Sequence, residues 1–219
     1  MESLLRLDGP TLEPRTGTAR KLVVLCHGLG ADGNDLIGLA PEWAQALPDA
    51  AFVAPNAPFP CEGAPMGRQW FALWDRSQAQ LEAGVRMAAG ILNGWLDEQL
   101  GARNLLASDC ALMGFSQGAM TSLFAALRRP EPVGAVLAFS GALLGAETLA
   151  AVVTARPPVL LVHGEADPVV PVAASRAAEA ALRAISIDVT ARYVPGLPHG
   201  IDPGSIAAGG AFLRTHLAA

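Results

Sequence analysis

Short, uniformly apolar runs alternate with longer amphipathic stretches along the chain. The first run, from Lys21 to Cys26, is mostly aliphatic and stops at His27. Runs of this kind are typical of parallel strands that are buried on both faces of a sheet. This pattern predicts six strands, at residues 21–26, 51–54, 110–113, 133–139, 159–162 and 187–194.

The stretches between these strands have the periodicity of amphipathic helices. In residues 78–100, for example, the apolar side chains of Val85, Leu92 and Trp95 recur at helical spacing. Strands that alternate with helices predict an α/β protein with a doubly wound, mostly parallel sheet and helices on both faces. We expect one domain over residues 1–219, with residues 1–20 as an N-terminal lead-in. Five helices are predicted, at residues 35–46, 78–100, 117–127, 172–184 and 204–217.

Residues 56–74 fit none of these predicted elements. The segment is interrupted by proline and glycine and ends in a cluster that holds Trp70, Phe71 and Trp74. Long loops in compact domains are usually functional, so a wall of the substrate site and a packed connection are both open interpretations. The exposed part of such a loop would suit a homodimer contact as well as an acyl chain.

The composition is rich enough in apolar residues to raise the question of a membrane protein. Hydrophobic residues make up 52% of the chain, charged residues 16%, and the mean hydropathy is +0.35. Much of this excess is alanine, and the longest uncharged run, 110–127, is broken in its middle by Gly114, Ser116 and Gly118. A spanning helix needs about 20 consistently apolar residues. We therefore expect a folded protein with no integral membrane segment.

The charge and the cysteines exclude further classes of protein. The net charge is −5, and the basic residues are spread along the chain, so no basic stripe for nucleic acid is present. The N-terminal residues lack the apolar core of a signal peptide. The three cysteines have neither the spacing of a metal site nor that of a disulfide framework. These features predict a cytoplasmic protein without a metal.

The sequence Gly114-Phe-Ser-Gln-Gly118 is the strongest chemical motif in the chain. It has the form G-x-S-x-G and lies between a predicted strand and a predicted helix, which is the setting of a nucleophile elbow. Glycines suit that position because a tight turn leaves no room for side chains beside the serine. The alternative is a plain glycine turn with a capping serine. We predict that Ser116 is a nucleophile.

A serine hydroxyl needs a base and an orienting carboxylate, which follow it in the order acid and then histidine in this type of fold. His199 lies in a loop after a predicted strand, whereas His216 ends a predicted helix, so His199 is the better candidate. Asp167 likewise lies in a loop after a strand. Glu165 is its near rival, but it comes only three residues after the predicted strand. Asp202 follows the histidine and has the wrong order.

A reacting ester also needs two backbone N–H donors for the negative charge on its carbonyl oxygen. Gln117 supplies one donor as the residue after the nucleophile. The second donor should come from the glycine-rich loop 27–33, where the amide of Leu29 is the best candidate. This loop has neither the G-x-G-x-x-G pattern nor a P-loop lysine, which argues against phosphate binding.

Four segments together resemble the phospholipase/carboxylesterase family of the α/β-hydrolases, which includes acyl-protein thioesterases, and in particular its bacterial branch. The resemblance covers residues 21 to the C-terminus and implies an α/β-hydrolase fold without a large lid domain. It implies the triad and the two amide donors named above, and no metal or cofactor. It also implies that Trp70 and Phe71 lie near the acyl site and that Val169 borders the acyl pocket. The segments are 27–33, 114–118, 163–171 and 199–200.

These inferences favour a serine carboxylesterase that cleaves small-molecule esters with an apolar acyl part through an acyl-enzyme. Acyl thioesters or lysophospholipids are alternative substrates for the same residues. A binding module that has lost turnover is an alternative from another class, and the presence of Ser116, Asp167 and His199 argues against it.

Overall fold

A seven-stranded sheet forms the centre of the protein. The computed structural model describes residues 7–217. The strand order is β1-β3-β2-β6-β7-β8-β9, and every neighbouring pair is parallel except β1 with β3. Within the described residues the strands are β1 (Thr11–Leu12), β2 (Lys21–Cys26), β3 (Ala50–Val53), β4 (Phe59–Cys61), β5 (Ala64–Gln69), β6 (Cys110–Phe115), β7 (Ala135–Phe139), β8 (Val159–Gly164) and β9 (Val189–Val194).

The central strands are uniformly apolar because both of their faces are covered. In β2, Leu22 and Val24 pack into one core cluster, while Val23 and Leu25 pack into the other. All four side chains are fully buried. Because strand side chains alternate between the two faces, each strand contributes to two cores, one on each side of the sheet. The predicted parallel sheet is confirmed, with β1 as its antiparallel edge.

Helices cover both faces, as expected for a doubly wound sheet. The helices α3 to α6 contribute buried side chains to one core, and α1, α2 and α7 contribute to the other. None of the described helices is long and apolar enough to cross a membrane, and no large lid covers the sheet within residues 7–217. The bounds are α1 (Gly33–Ile37), α2 (Ala40–Trp43), α3 (Gln78–Arg103), α4 (Gln117–Ala126), α5 (Ala146–Val152), α6 (Val172–Ala184) and α7 (Pro203–Leu217).

Two parts of the fold differ from the expectation. The helix predicted at 35–46 is divided into α1 and α2, because Pro41 has no N–H to continue the ladder and Gly38 weakens it. Asp32 caps α1 by accepting a hydrogen bond from the Asn34 amide at 2.8 Å. The short helix α5 was not predicted; of its side chains, Leu149 is the buried one, which leaves too little periodicity to identify it.

The proline-rich segment is also more regular than its composition suggests. The prediction that residues 56–74 hold no element is wrong, because β4 and β5 form an antiparallel hairpin within them. Pro60 is tolerated because this two-stranded ladder is short and irregular at that point. The lead-in proposed at 1–20 is described only from residue 7. The N-terminal residues on which the absence of a leader was inferred lie outside the described part of the chain.

Candidate active site

Ser116 lies in a sharp turn between β6 and α4. Its backbone has φ 53° and ψ −116°, a conformation that is costly for any residue but glycine. Two hydrogen bonds hold the turn: the Ser116 amide donates to the Phe139 carbonyl at 2.9 Å, and the Ser116 carbonyl accepts from the Met120 amide at 3.1 Å. The strain is therefore imposed by the sheet on one side and by the helix on the other.

The two glycines of the G-x-S-x-G motif are required for steric reasons. A Cβ atom on Gly114 would lie 2.3 Å from the backbone carbon of Gly118. A Cβ atom on Gly118 would lie 2.0 Å from the carbonyl oxygen of Cys26 in the neighbouring strand. Only glycine allows β6, α4 and β2 to approach this closely, so the G-x-S-x-G pattern is a packing requirement as well as a chemical signature.

Asp167 lies in the loop after β8, where both of its carboxylate oxygens accept hydrogen bonds. Oδ1 accepts from the amides of Val169 and Val170 at 2.8 and 2.9 Å, and Oδ2 lies 2.6 Å from Nδ1 of His199. Burial alone would raise the pKa of Asp167. The hydrogen bonds from His199 and the two amides outweigh it and hold the pKa below its usual value. The carboxylate is therefore ionised at neutral pH.

His199 is held by the close approach of two loops. The amide of Ala166 donates to the Leu197 carbonyl at 3.1 Å, and a Cβ atom on Gly164 would lie 2.1 Å from the same oxygen. The His199 ring packs against Phe115, the residue before the nucleophile, with a centroid distance of 4.7 Å. Because Nδ1 binds Asp167, Nε2 is the ring nitrogen that remains for proton transfer.

The rival residues are engaged elsewhere. Glu165 binds Arg176 at 2.6 Å, and Asp202 accepts from the Ser205 amide at the start of α7. His216 packs against Phe212 with a centroid distance of 4.4 Å. Of the acids and histidines compared in the sequence, the structure brings together Asp167 and His199.

The loop that is predicted to supply an oxyanion donor passes beside Ser116. A Cβ atom on Gly28 would lie 3.5 Å from Cβ of Ser116. The loop is tied to β5, because the Gly30 amide donates to the Arg68 carbonyl at 2.9 Å and the Arg68 amide donates to Ala31 at 2.8 Å. Within residues 7–217, neither the Leu29 amide nor the Gln117 amide donates to a carbonyl of the loops, turns or caps.

Trp70 and Phe71 do not form an open wall of the site. Both side chains are fully buried and belong to the core, as in the packed connection that the sequence left open. That they lie near the acyl site stays a prediction. Their backbone is fixed by the side chain of Gln117, whose Oε1 accepts from the Trp70 amide at 2.8 Å and whose Nε2 donates to the Phe71 carbonyl at 2.7 Å. Among the aromatic residues of this segment, Trp74 is the one with an exposed side chain, at 73%.

Two buried histidines next to the site had no assigned role in the sequence. In His27, Nε2 accepts from the Ala57 amide at 2.9 Å and Nδ1 lies 2.7 Å from the Gly28 carbonyl, so the proton is on Nδ1. Burial lowers the pKa of His27. His163 contacts Asp167 itself, with Nε2 3.2 Å from Oδ2. The sequence offered one signal for these two histidines, because each is followed by glycine at the end of a predicted strand.

The remaining predicted residue, Val169, lies next to Asp167 and is exposed, at 61%. Leu29 is also exposed, at 42%. In the described part of the chain, no cluster of three or more His, Cys, Asp or Glu residues is arranged to hold a metal ion. The arrangement of a strained serine, a histidine–carboxylate pair and two amides is suited to acyl transfer.

Comparisons with known proteins agree with this chemistry. The family described as phospholipase/carboxylesterase matches residues 7–217. Esterase YpfH of Escherichia coli is 34% identical over 189 residues, which cover 84% of this chain and 78% of that protein. Acyl-protein thioesterase 1 of Gibberella zeae is 26% identical, with 95% of each chain covered. The crystal structure of esterase PE8 superposes with a TM-score of 0.93 and 42% identity, over 97% of this chain and 100% of that chain.

The family match extends over the whole described part of the chain, and the fold superposes closely on that of a solved esterase. This chain therefore belongs to the phospholipase/carboxylesterase family of α/β-hydrolases, and it is a hydrolase that acts on ester bonds.

Proposed function

We propose that this protein is a serine carboxylesterase in which Ser116, His199 and Asp167 form the catalytic triad. The observation that carries the proposal is the 2.6 Å contact between His199 Nδ1 and Asp167 Oδ2, beside the strained turn that holds Ser116. Asp167 keeps the His199 proton on Nδ1, which leaves Nε2 as an acceptor. The base can then take the proton of the serine hydroxyl.

The reaction proceeds in two halves. Ser116 Oγ attacks the ester carbonyl carbon while His199 Nε2 takes its proton, and the tetrahedral intermediate collapses as the imidazolium gives that proton to the departing alcohol. Water then attacks the acyl-enzyme with His199 again as the base, and the carboxylic acid leaves Ser116. Asp167 stays ionised throughout and stabilises the imidazolium, which agrees with its lowered pKa.

The negative charge of each tetrahedral intermediate falls on the carbonyl oxygen, for which we propose the amides of Leu29 and Gln117 as donors. Gln117 opens α4, so its amide belongs to the positive end of a helix. Leu29 lies in the loop that passes beside Ser116, and the two residues that follow it, Gly30 and Ala31, are tied to β5. Donors that are already in position need no reorganisation when the charge develops.

We further propose that the acyl part of the substrate is apolar. Exposed aliphatic side chains lie on two loops of the site, Leu29 on the amide-donor loop and Val169 next to the catalytic acid. An apolar acyl chain that covers them removes their surface from water, which contributes roughly 25 cal/mol per Å². Trp70 and Phe71 support the site indirectly, because their backbone groups form hydrogen bonds with the side chain of Gln117.

An acyl thioester or a lysophospholipid is the second candidate substrate for the same triad. The observation that favours a thioester is the similarity to acyl-protein thioesterase 1 over nearly the whole chain. We also propose a cytoplasmic location, which the three free cysteines support because unpaired thiols are typical of a reducing compartment.

Covalent labelling tests the triad. Ser116→Ala should abolish labelling by a fluorophosphonate and lower kcat on an activated ester by about 10⁶-fold, because no nucleophile remains. Ser186→Ala is the matched control, since Ser186 also has a left-handed φ, 62°, but lies after α6 away from the turn. Labelling that persists in Ser116→Ala would contradict the assignment, and labelling of Ser186→Ala should equal that of the wild type.

Acyl-chain series separate the candidate substrates. Matched oxygen esters and thioesters with short, medium and long acyl chains should give kcat/KM values that rise with chain length if the acyl site is apolar. A preference for oxygen esters at every length supports the carboxylesterase, and a preference for thioesters supports the second candidate. Equal rates for all chain lengths would contradict an apolar acyl site.

A further inference from the structure

The acid side of the site contains a second histidine that the proposed reaction does not use. His163 is fully buried near the end of β8, and its ring lies against the loop that carries Asp167. Nε2 lies 2.8 Å from the Val170 carbonyl oxygen and 3.2 Å from Oδ2 of Asp167. Nδ1 lies 2.6 Å from Oγ of Ser175 on α6.

These contacts determine where the ring carries a proton. Both oxygens that face Nε2 are acceptors without a proton of their own, so Nε2 must be the donor. Nδ1 can accept from the Ser175 hydroxyl, or donate to it while that hydroxyl donates to the Gly141 carbonyl at 3.3 Å. The Nε2 proton is required in either arrangement.

We infer that His163 is a positioning residue for the catalytic acid: its Nε2–H donates to the Val170 carbonyl at 2.8 Å and also faces, at 3.2 Å, the carboxylate oxygen of Asp167 that binds His199. This inference rests on the proposed function of Asp167 and His199. Oδ2 then accepts from His199 and shares the His163 N–H with the Val170 carbonyl, and Oδ1 accepts the amides of Val169 and Val170. The carboxylate is thus held at both oxygens and cannot rotate away from His199.

The His163 N–H group also withdraws part of the negative charge of the Asp167 carboxylate. An N–H group at Oδ2 reduces the negative charge that Asp167 offers to the His199 imidazolium. Removal of this donor should therefore strengthen the ion pair between Asp167 and the His199 imidazolium. His163 would in this way set the acidic limit of activity as well as the geometry.

The other titratable groups around His163 are paired with one another. In the same loop, Glu165 binds Arg176 of α6 at 2.6 Å. Tyr193, the register partner of His163 in β9, donates to Glu179 of α6 at 2.8 Å. Of the charged groups on these elements, Asp167 is the one in contact with the His163 ring.

A pair of substitutions tests the donor. His163→Met removes the N–H group at similar volume, whereas His163→Gln retains an N–H near the position of Nε2. We expect His163→Met to lower kcat by about tenfold with little change in KM, because a hydrogen bond to a charged group is worth about one order of magnitude or more. Its acidic limb of kcat/KM should move to higher pH, and His163→Gln should recover most of kcat.

His216→Met is the matched control, because it removes a histidine that packs against Phe212 on α7, and its pH profile should equal that of the wild type. The inference is overturned if His163→Met keeps the wild-type kcat and acidic limb, or if His163→Gln is as impaired as His163→Met. If Ser116→Ala retains fluorophosphonate labelling, the proposed function itself fails. The two failures are therefore distinguishable.

A measurement on the wild-type protein covers the case in which His163→Met does not fold. Nitrogen-15 NMR of the histidine rings reports which ring nitrogen is protonated. We expect a proton on Nε2 of His163 and on Nδ1 of His27. An unprotonated Nε2 in His163 would overturn the inference without any substitution.

Discussion

His27 and His163 occupy the same local setting on the two sides of the site. Each is followed by glycine at the carboxyl end of a parallel strand, and each side chain is fully buried. In His27, Nε2 accepts a hydrogen bond from the Ala57 amide, whereas in His163 the same atom faces the Val170 carbonyl and the Asp167 carboxylate. Nε2 must therefore carry a proton in His163 and none in His27.

The difference follows from what each ring supports. His27 supports backbone: its Nε2 binds the Ala57 amide, and its carbonyl accepts from Nε1 of Trp70 at 2.9 Å. A second proton would break the bond to Ala57, so His27 has to stay neutral. His163 supports a charge, and a donor is what a carboxylate requires. The amide side of the site, which holds His27 and the Leu29 loop, is thus built to be neutral. The acid side, which holds His163, is built around the negative charge of Asp167.

Among changes to the two sides of the site, removal of the Asp167 charge should have the largest effect on kcat. Asp167→Asn keeps the shape of the side chain, but donors face both of its oxygens, so the new NH₂ group must oppose N–H groups on one side. We expect kcat to fall by about 10⁴-fold, because His199 is no longer held in the productive tautomer. Steady-state kinetics on an activated ester measures it, and a loss of less than tenfold would contradict the role of Asp167.

Displacement of the amide side should have a smaller effect. In Gly67→Val, the new Cβ would lie 2.3 Å from the Gly30 carbonyl oxygen, so the loop that carries the Leu29 amide must move. Loss of one oxyanion donor costs about 10²-fold to 10³-fold in kcat. Gly63→Val is the matched control in the same hairpin, because a Cβ there meets no atom within 4 Å. Equal kcat values in the two variants would argue against Leu29 as a donor.

The smallest expected effect is on stability. Its pH dependence should differ between His27 and Asp167, which lie on the two sides of the site. The pKa of His27 is lowered in the folded protein, so the unfolded chain binds its proton first, and stability falls as pH drops below about 6.5. The contribution of one such group is at most about 1.4 kcal/mol per pH unit. His27→Gln retains an acceptor for Ala57 and should flatten the dependence of the urea midpoint between about pH 7 and pH 5.

Asp167 acts in a different window. Its folded pKa lies below its usual value, so its contribution to stability is present above about pH 4 and is lost as the pH falls through the folded value. Asp167→Asn should therefore change the slope of stability against pH below about pH 4. An unchanged slope below pH 4 in Asp167→Asn, or an unchanged slope between pH 7 and pH 5 in His27→Gln, would contradict this division.

Most of the fold was predictable from local pattern. The strand at Lys21–Cys26 and the helix at Val172–Ala184 have the predicted bounds, because burial on two faces or on one stripe leaves a periodic signal. The hairpin of β4 and β5 has no such signal: its strands are short, contain proline, and are held by contacts to the loop after β2. The burial of Trp70 and Phe71 was left open for a related reason, since a cluster of aromatic residues indicates a surface or a core equally well.

The sequence by itself determined the order of strands and helices, the turn that holds Ser116, and the loops from which a base and an acid had to come. These features depend on periodicity and on the steric demands of neighbouring residues. The tertiary structure decided that His199 binds Asp167 while Glu165 binds Arg176. It also decided that, of two identical His-Gly pairs, one histidine presents Nε2 to an amide donor and the other presents it to two oxygen acceptors. The physical reason is that each of these outcomes is fixed by a donor or acceptor that folding brings in from another loop or helix, and local sequence carries no record of that partner.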